Sequence, residues 1–484
     1  MNAPLRRVAI AALVLFGLLF LNLNYLQVVE AGDLRQHASN RRLLVESYSR
    51  ERGQIVAGGV ALADSVETKG RLKFLRRYPG GAPFAPVTGF FPVSGGATGV
   101  EKAADGVLSG EDSRLFVRRV SDIITGRTPQ GGIVTLTIKP ALQQAAYRLL
   151  AGKRGAVVAL DPQTGAVLAM VSVPSYDPNP LVSHDLRKAN KAYDDYLDRD
   201  DDPLLNRAAM QTYAPGSTFK VIVTAAALES GRYRPDTPVP APRVYDVPLT
   251  TSDIGNFGDS SCGGATIPLA RALQISCNTS YAALGNALGG GAMRAMAERF
   301  GFETEPELEL PTVKSHVPDD LNKPQEAQAG IGQYDVRATP LQMALVAAAV
   351  ANGGNVIRPY VVAKTEGPNL ALLDETAPRV EGRAISAATA SALDAMMAAV
   401  VTGGTGRRAA VPGLRVAGKT GTAQRGAPGS HAWFIGYGSR AGQRPSIAVA
   451  VIVEGGSAGT DATGGRVAAP IAGQLIAAHF GGAQ

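Results

Sequence analysis

The chain has 484 residues, of which 45% are hydrophobic and 18% are charged. This length allows two or three domains with substantial cores, and this composition excludes a disordered chain. The net charge is +7, but Lys and Arg do not form runs interleaved with aromatic residues, so we expect no binding of nucleic acid.

An apolar segment follows a short cationic N-terminus. Residues 1–7 include Arg6 and Arg7, and residues 8–29 are almost wholly apolar. Because about 20 helical residues cross a bilayer, we expect a transmembrane anchor at 8–29. The arginines favour a cytoplasmic tail at 1–7 and an extracytoplasmic remainder. A cleaved signal peptide is the alternative, but the apolar run is long for one and no clear small-residue cleavage site follows.

Two domains are expected after the anchor. Residues 30–130 contain frequent Gly and Pro and short strand-like runs, which predict a small irregular pedestal domain without a catalytic pattern of its own. Residues 131–484 have β-branched runs near both ends and helical periodicity between them. This pattern predicts an α+β fold with one antiparallel sheet built from distant segments, at 155–173, 432–437 and 447–453.

Three short strings occur in one order in the second domain: Ser217-Thr218-Phe219-Lys220, Ser276-Cys277-Asn278 and Lys419-Thr420-Gly421-Thr422. Each string alone is weak evidence, since such spacings arise by chance. Ser276 and Asn278 taken alone are more typical of helix ends, and the third string taken alone is typical of a strand edge. The ordered set of three is strong evidence for a catalytic site.

The first string has the chemistry of an activated nucleophile. Ser217 and Lys220 are three residues apart, so on a helix they share one face. Pro215-Gly216 predicts a helix start that places Ser217 in the first turn, where backbone N–H groups favour negative charge. Lys419 is a second cation that would help to keep Lys220 neutral. None of the five histidines lies beside a candidate nucleophile in the sequence, so a Ser-His-Asp triad is not supported.

The chain has two cysteines, Cys262 and Cys277, in the segment predicted to be exported. Outside the cytoplasm such a pair often oxidises, so we expect a disulfide that holds the second string; two buried thiols are the alternative. The sequence shows no Cys/His grouping with the spacing of metal ligands. We therefore expect neither a metal site nor a cofactor.

The three strings match S-x-x-K, S-x-N and K-T-G, the catalytic motifs of penicillin-recognising acyl-serine enzymes. The chain resembles class B penicillin-binding proteins nearly end to end, and among them most the short actinobacterial penicillin-binding protein A type. This resemblance implies the penicillin-binding transpeptidase fold, in which an antiparallel sheet is flanked by helices beside a helical subdomain. Further segments that carry the resemblance are 50–55, 98–108, 330–333, 339–342 and 431–436.

The resemblance also implies the role of each catalytic residue. Ser217 would be acylated by the penultimate D-alanine carbonyl of a stem peptide ending in D-Ala-D-Ala, and Lys220 would be its base. Ser276 would relay a proton to the leaving group or the acceptor amine, with Lys419 behind it. Asn278 would hydrogen-bond the amide of the donor peptide.

The third string would bind substrate through Thr420, Gly421 and Thr422. The two threonine hydroxyls would hold the substrate carboxylate, and the N–H groups of Ser217 and Thr422 would form the oxyanion hole. A β-lactam would occupy the same site. The family also implies two further partners, the cytoplasmic membrane and a polytopic glycan polymerase within it.

The implied function is a membrane-anchored D,D-transpeptidase that cross-links peptidoglycan in cell-shape maintenance or cell division. A D,D-carboxypeptidase or β-lactamase on the same scaffold and a non-catalytic β-lactam sensor or scaffold are the alternatives. The anchor, the pedestal and the 143 positions between Ser276 and Lys419 disfavour a β-lactamase. The segment between the anchor and Gly155 is too short for a glycosyltransferase domain, which excludes a bifunctional polymerase.

Overall fold

The computed structural model describes residues 2–30, 48–93, 96–115, 125, 130–424, 429–455 and 462–481. The predicted pedestal segment 30–130 therefore lies partly outside the described residues. The strands, in chain order from β1 to β17, are Ile55–Ala57, Val60–Glu67, Phe74–Arg77, Ile133–Leu136, Gly155–Leu160, Val167–Val173, Pro238–Pro240, Val244–Asp246, Asp253–Gly255, Thr266–Pro268, Asn355–Ile357, Val362–Glu366, Leu372–Glu375, Val380–Arg383, Leu414–Ala423, His431–Arg440 and Ile447–Val453.

The α-helices that the structure describes are numbered in the same way. From α1 to α15 they are Asn2–Val28, Ala85–Thr88, Gly99–Ala103, Asp105–Ser109, Pro140–Leu149, Leu186–Leu197, Arg207–Met210, Lys220–Glu229, Leu269–Ile275, Asn278–Leu288, Gly290–Arg299, Lys323–Gly330, Pro340–Ala351, Ala387–Gly403 and Ala469–His479. Short helical turns lie at Ser113–Leu115, Asn179–Val182, Gly216–Thr218, Phe257–Asp259, Arg407–Ala409 and Gly464–Ala468.

A five-stranded antiparallel sheet forms the centre of the larger domain, in the order β15-β16-β17-β5-β6. Its strands come from both ends of the domain, and β17 pairs with β5 so that Val451 lies opposite Val157. Every residue of β5, β6 and β17 is buried, which accounts for their unbroken apolar sequences. The predicted α+β fold with a sheet built from distant segments is therefore confirmed.

Helices cover both faces of this sheet. On one face lies α13, which is buried along nearly its whole length because it also contacts α14. On the other face α15 and α5 pack against β16, β17 and β6 in a second apolar cluster. Because both faces are covered, the apolar side chains of the sheet are removed from water. Burying each large side chain contributes about 1.5 to 3 kcal/mol to the free energy of folding.

The helical subdomain has α8 at its centre. Its sequence, KVIVTAAALE, is apolar on every side, and all residues from Lys220 to Ala227 are buried. A helix that is apolar all round must lie inside a domain, and α8 contacts α9, α10, α11 and α14. The one lysine at its start is therefore removed from water together with its apolar neighbours.

The N-terminal module, which is the predicted pedestal domain at 30–130, shares a sheet with the larger domain predicted at 131–484. The six-stranded order β13-β12-β4-β1-β2-β3 joins strands on both sides of the boundary predicted between residues 130 and 131. Beside this sheet, the buried Glu101 carboxylate accepts hydrogen bonds from Arg52, Arg76 and Tyr78 at 2.6, 2.6 and 3.0 Å. Burial alone would raise the pKa of Glu101, but Arg76 and Arg52 hold it below its ordinary value. The cluster keeps a charged carboxylate inside the module.

One described helix, α1, is long and apolar enough to cross a membrane, over Pro4–Gln27. Its described side chains are exposed, which is the arrangement expected of a segment that contacts lipid. The helix covers most of the anchor predicted at 8–29 and is compatible with a single-pass membrane anchor.

Candidate active site

The three strings meet where the helical subdomain contacts the central sheet. Ser217 lies in the turn Gly216–Thr218, which leads directly into α8, and Ser276 connects α9 to α10. Lys419 lies on β15, the edge strand of the five-stranded sheet. Its Nζ donates a hydrogen bond of 2.8 Å to Ser276 Oγ, and Lys220 Nζ lies 3.4 Å from the same oxygen. The fold thus joins side chains that are up to 199 positions apart in the sequence, from Lys220 to Lys419.

Lys220 is completely buried, and its amino group is held by oxygens of the second string. Nζ donates to the carbonyl of Ser276 at 2.9 Å and to Oδ1 of Asn278 at 2.7 Å. Burial, and to a lesser extent the charge of Lys419, lower the pKa of Lys220 well below its ordinary value. A neutral amine has two N–H bonds, which these two acceptors occupy. Its lone pair then remains available to accept a proton.

Lys419 is the second buried amine of the site. Its Nζ donates to Ser276 Oγ and to the carbonyl of Thr420, each at 2.8 Å. Burial lowers the pKa of Lys419 to about 7, so near neutral pH the side chain exists in both protonation states. Ser276 Oγ therefore lies between two lysines that can each gain or lose a proton.

Ser276 and Asn278 lie at helix ends, as their residue types favour, and also face the lysines. Ser276 follows the last residue of α9 with a left-handed φ of 62°, which is uncommon for a residue other than glycine. Such backbone conformations persist where the surroundings hold them and are frequent at functional sites. Asn278 is the first residue of α10.

Asn256, which the sequence analysis did not single out, fixes this helix start. Its Oδ1 accepts from the backbone N–H groups of Asn278 and Thr279 at 2.8 and 3.3 Å. The preceding Gly255 carbonyl accepts from Asn278 Nδ2 at 3.2 Å. The Asn278 amide is thus oriented with its oxygen towards Lys220. Asn256 is 22 residues from Asn278, so no local sequence pattern connects the two.

Ser217 lies in the first turn before α8, as the Pro215-Gly216 pair predicts. The side chain is partly exposed at the site, whereas its neighbours Thr218 and Lys220 are buried. Among the described residues, no hydrogen bond joins Ser217 Oγ to Lys220. Catalytic hydrogen bonds are often long in free enzymes and tighten with substrate, so this geometry is compatible with the predicted base.

Two glycines let the first and third strings approach each other. Gly216 has a left-handed φ of 51°, and a Cβ there would lie 2.8 Å from the carbonyl oxygen of Thr422. A Cβ on Gly421 would lie 2.9 Å from the carbonyl oxygen of Pro215. Larger residues would separate the turn from β15. The backbones of Ser217 and Thr422, the predicted oxyanion hole, lie next to these contacts.

The threonines of the third string have defined partners. Thr420 Oγ1 lies 2.6 Å from Oγ1 of Thr405, another residue that the sequence analysis missed. Thr405 lies in the segment between α14 and β15, 15 residues from Thr420, and nothing in the local pattern connects them. Thr422 Oγ1 accepts from the backbone N–H of Gly464 at 3.3 Å. Both hydroxyls are held near the open edge of the sheet.

A disulfide joins Cys262 and Cys277. Both residues are buried, and Cys277 lies between Ser276 and Asn278. The bridge therefore connects the loop that contains Asn256 to the second string by a covalent bond. It restrains the connection between α9 and α10, which contains Ser276.

Known proteins match this chain over nearly its whole length. The family model for the penicillin binding protein transpeptidase domain matches residues 155–477, and that for the penicillin binding protein A dimerisation domain matches residues 52–134. The chain is 46% identical to the peptidoglycan D,D-transpeptidase PbpA of Mycolicibacterium smegmatis, over 99% of each chain. It is 43% identical to PbpA of Mycobacterium tuberculosis over the full length of both.

Solved structures agree with these matches. The ceftriaxone acyl-enzyme complex of penicillin-binding protein A from M. tuberculosis has a TM-score of 0.86 at 42% identity, over 90% of this chain and 99% of that one. The D,D-transpeptidase domain of a peptidoglycan glycosyltransferase from Eggerthella lenta has a TM-score of 0.77 at 32% identity, over 89% and 99%. The resemblance drawn from the sequence is confirmed.

Lys220→Arg tests the proton acceptor. Arginine keeps the positive charge but does not deprotonate in proteins, so acylation by benzylpenicillin should slow by about 10² to 10⁴, the usual contribution of a general base. The rate is measured by mass spectrometry of the intact protein. Lys188→Arg, at an exposed lysine of the same domain, is the matched control and should acylate like the unmodified chain. A rate within a few-fold of the unmodified chain for Lys220→Arg would remove Lys220 from this role.

The disulfide should contribute stability. Closing a loop of about fifteen residues is worth about 3 kcal/mol in the chain-entropy model. Reductant should therefore lower the free energy of unfolding by about this amount, measured by urea denaturation. A variant with both cysteines changed to serine should have the lower stability already and should not respond to reductant. Two thiols that titrate in the native, unreduced protein would contradict the bridge.

Proposed function

The chain belongs to the penicillin-binding protein transpeptidases and is a serine-type peptidoglycan D,D-transpeptidase, and we propose that Ser217 carries the acyl group of its reaction. The observation that carries this proposal is the pair of buried lysines on either side of Ser276, with Lys220 one helical turn after Ser217. A buried lysine with a lowered pKa is a suitable base for a serine nucleophile.

In the first step Ser217 Oγ attacks the penultimate D-alanine carbonyl of the donor stem peptide. Lys220 accepts the hydroxyl proton, and the N–H groups of Ser217 and Thr422 bind the developing oxyanion. One such donor is typically worth about 3 to 4 kcal/mol in the transition state. Ser276, hydrogen-bonded to Lys419, delivers a proton to the leaving D-alanine amine. An acyl-enzyme ester on Ser217 and free D-alanine result.

In the second step the amine of an acceptor stem attacks this ester. The proton path runs in reverse, from the amine through Ser276 to the lysines, and Ser217 regains its proton. Asn278 binds the donor amide, and Thr420 and Thr422 hold the terminal carboxylate of the donor before it leaves. A β-lactam acylates the same serine and blocks both steps.

The residues that follow Ser217 in the sequence favour transfer of the acyl group to an amine over its hydrolysis. No acidic residue occurs between Ser217 and Leu228 in the sequence, and the first one, Glu229, accepts a hydrogen bond of 2.9 Å from the backbone of Ser386. Burial alone would raise the pKa of Glu229, but hydrogen bonds from Thr389 and Ser386 and the charge of Arg299 lower it to about 2. Such a carboxylate is too weak a base to activate water at neutral pH.

The membrane topology follows from the anchor. With α1 in the cytoplasmic membrane and Arg6 and Arg7 on the cytoplasmic side, the catalytic domain is extracytoplasmic, where peptidoglycan lies. The family models that match are those of a transpeptidase domain and a dimerisation domain, and cross-linking of stem peptides needs glycan chains supplied by a partner enzyme. We propose a polytopic glycan polymerase of the membrane as that partner.

The ratio of the aminolysis product to the hydrolysis product tests the proposed reaction. The protein is incubated with a thioester donor and rising concentrations of a D-amino acid acceptor, and products are quantified by mass spectrometry. Because no acidic residue close after Ser217 in the sequence is a strong enough base to activate water, aminolysis should exceed hydrolysis as the acceptor concentration rises, and the penicilloyl-enzyme should be long-lived. Ser217→Ala should form neither product. Free acid dominating at every acceptor concentration, with penicillin turned over within minutes, would support the hydrolase instead.

A further inference from the structure

A basic surface lies on the N-terminal module and the adjoining part of the larger domain. Its cations lie in two places, the connection between β2 and β3 and the first turn of α6. They are Lys69, Arg71, Lys73, Arg187 and Lys188, and all five residues are exposed. Within the described part of the chain, none of these five side chains forms an ion pair. Two carboxylates adjoin them, Glu67 and Asp185, so the net charge of the basic surface is +3.

The two groups of cations lie side by side. His184 Nε2 donates a hydrogen bond of 3.1 Å to the carbonyl of Phe74, the residue after Lys73. His184 is itself three residues before Arg187. The Thr68 N–H donates to the Lys73 carbonyl at 2.6 Å, which closes the connection between β2 and β3 into a compact loop. The cations of the loop and those of the helix start therefore form one continuous surface.

The basic surface lies where the chain from the membrane anchor joins the folded domains. Tyr48 is the first described residue after Glu30, and its carbonyl accepts a hydrogen bond of 3.0 Å from the Phe74 N–H. The Tyr48 ring also packs edge-on against the His184 ring, with 5.6 Å between their centroids. Because 18 residue steps separate Glu30 from Tyr48, the chain spans at most about 60 Å between them. The basic surface is thus kept within reach of the bilayer that holds α1.

The charges of α6 run against the preference of a helix. Arg187 and Lys188 lie at its N-terminal end, where the partial positive charge of the helix disfavours cations. The Asp185 side chain caps the helix by accepting from both of their backbone N–H groups, which offsets part of this cost. Asp194 and Asp195 lie near the other end, about 10 Å away along the axis. The helix therefore separates a cationic end from an acidic end, and only the cationic end suits an anionic partner.

Apolar side chains lie among the cations. Leu186, immediately before Arg187, is 42% exposed. Leu72 lies between Arg71 and Lys73 in the loop and is partly exposed. Cations interleaved with apolar side chains are typical of protein surfaces that lie in the headgroup region of a membrane. A soluble polyanion would gain nothing from the leucines, so the composition favours a lipid surface.

We propose that the basic surface docks on anionic lipid headgroups of the membrane that holds α1. The guanidinium and ammonium groups bind headgroup phosphates, and Leu186 enters the headgroup region. The tether presents the headgroups at a high effective concentration, so several weak contacts suffice for docking. Docking sets the orientation of the N-terminal module above the membrane, with the acidic end of α6 directed away from it. The inference rests on the anchor and does not depend on which residue carries the acyl group.

Energy transfer between a dye and the bilayer tests the docking in the full chain. Val60→Cys places a donor dye on an exposed residue at the start of β2, about 20 Å from the basic surface along that strand. The two native cysteines are joined, so the dye reacts with the new thiol alone. The labelled chain is reconstituted in nanodiscs with an acceptor-labelled lipid, made from phosphatidylcholine with or without phosphatidylglycerol.

Energy transfer should be higher in the nanodiscs that contain phosphatidylglycerol. High salt should remove the difference, because the screening length falls to about 3 Å at 1 M. Each cation near an anionic surface strengthens attachment by about fivefold. Lys69→Gln, Arg71→Gln and Lys73→Gln together should therefore lower the ratio of docked to undocked chain by about 100-fold. Transfer in this triple variant should be equal in both kinds of nanodisc.

A second triple variant controls for the loss of charge. Arg232→Gln, Arg234→Gln and Arg379→Gln together remove three exposed arginines of the larger domain and should keep the difference between the nanodiscs. Both triple variants should be acylated by benzylpenicillin at the rate of the unmodified chain, which shows that they fold.

Two results would overturn the docking. One is equal transfer in both kinds of nanodisc for the otherwise unmodified chain; binding of soluble polyphosphate in that case would assign the basic surface to a soluble anionic polymer. The other is a difference between the nanodiscs that persists when Lys69, Arg71 and Lys73 are all changed to Gln. Failure of benzylpenicillin to label Ser217 would instead overturn the proposed reaction and would not affect the docking.

Discussion

The active site depends on two lysines that are buried within reach of one serine hydroxyl. An amine removed from water loses most of the stabilisation of its charged form, and a second cation nearby lowers its pKa further. Lys220 and Lys419 are placed in this way on either side of Ser276. In the proposed mechanism, a chain with no histidine in its motifs thereby has a base whose pKa lies well below that of an ordinary lysine.

Several elements of the fold hold the two lysines and Ser276 in this arrangement. The apolar helix α8 brings Lys220 into the interior because no side of the helix can face water. Gly216 and Gly421 allow the turn that carries Ser217 to contact β15. Lys419, which lies on β15, is thereby placed next to Ser276. Asn256 and the disulfide hold the connection between α9 and α10. Each element limits the freedom of a group that must be aligned to within a fraction of an ångström.

Features with local causes could be predicted from the sequence. The helix start at Ser217 follows from Pro215-Gly216, and the β5–β6 hairpin follows from two apolar runs around a turn. Asn256 and Thr405 could not be predicted, because their partners are separated from them by long stretches of chain and an Asn or Thr alone is common in loops. The sheet shared by the N-terminal module and the larger domain was missed for the same reason, since strand pairing between distant segments leaves no local pattern.

The proposed role of Lys220 as the base depends on its protonation state, which can be measured directly. Protein carrying lysine labelled with ¹³C at Cε is titrated by NMR, and the Lys220 signal is assigned by its absence from the Lys220→Arg variant. We expect this signal to titrate well below the ordinary lysine pKa of 10.5, because the neutral amine is favoured by burial and by Lys419. A signal that stays that of the charged amine up to pH 10 would contradict it.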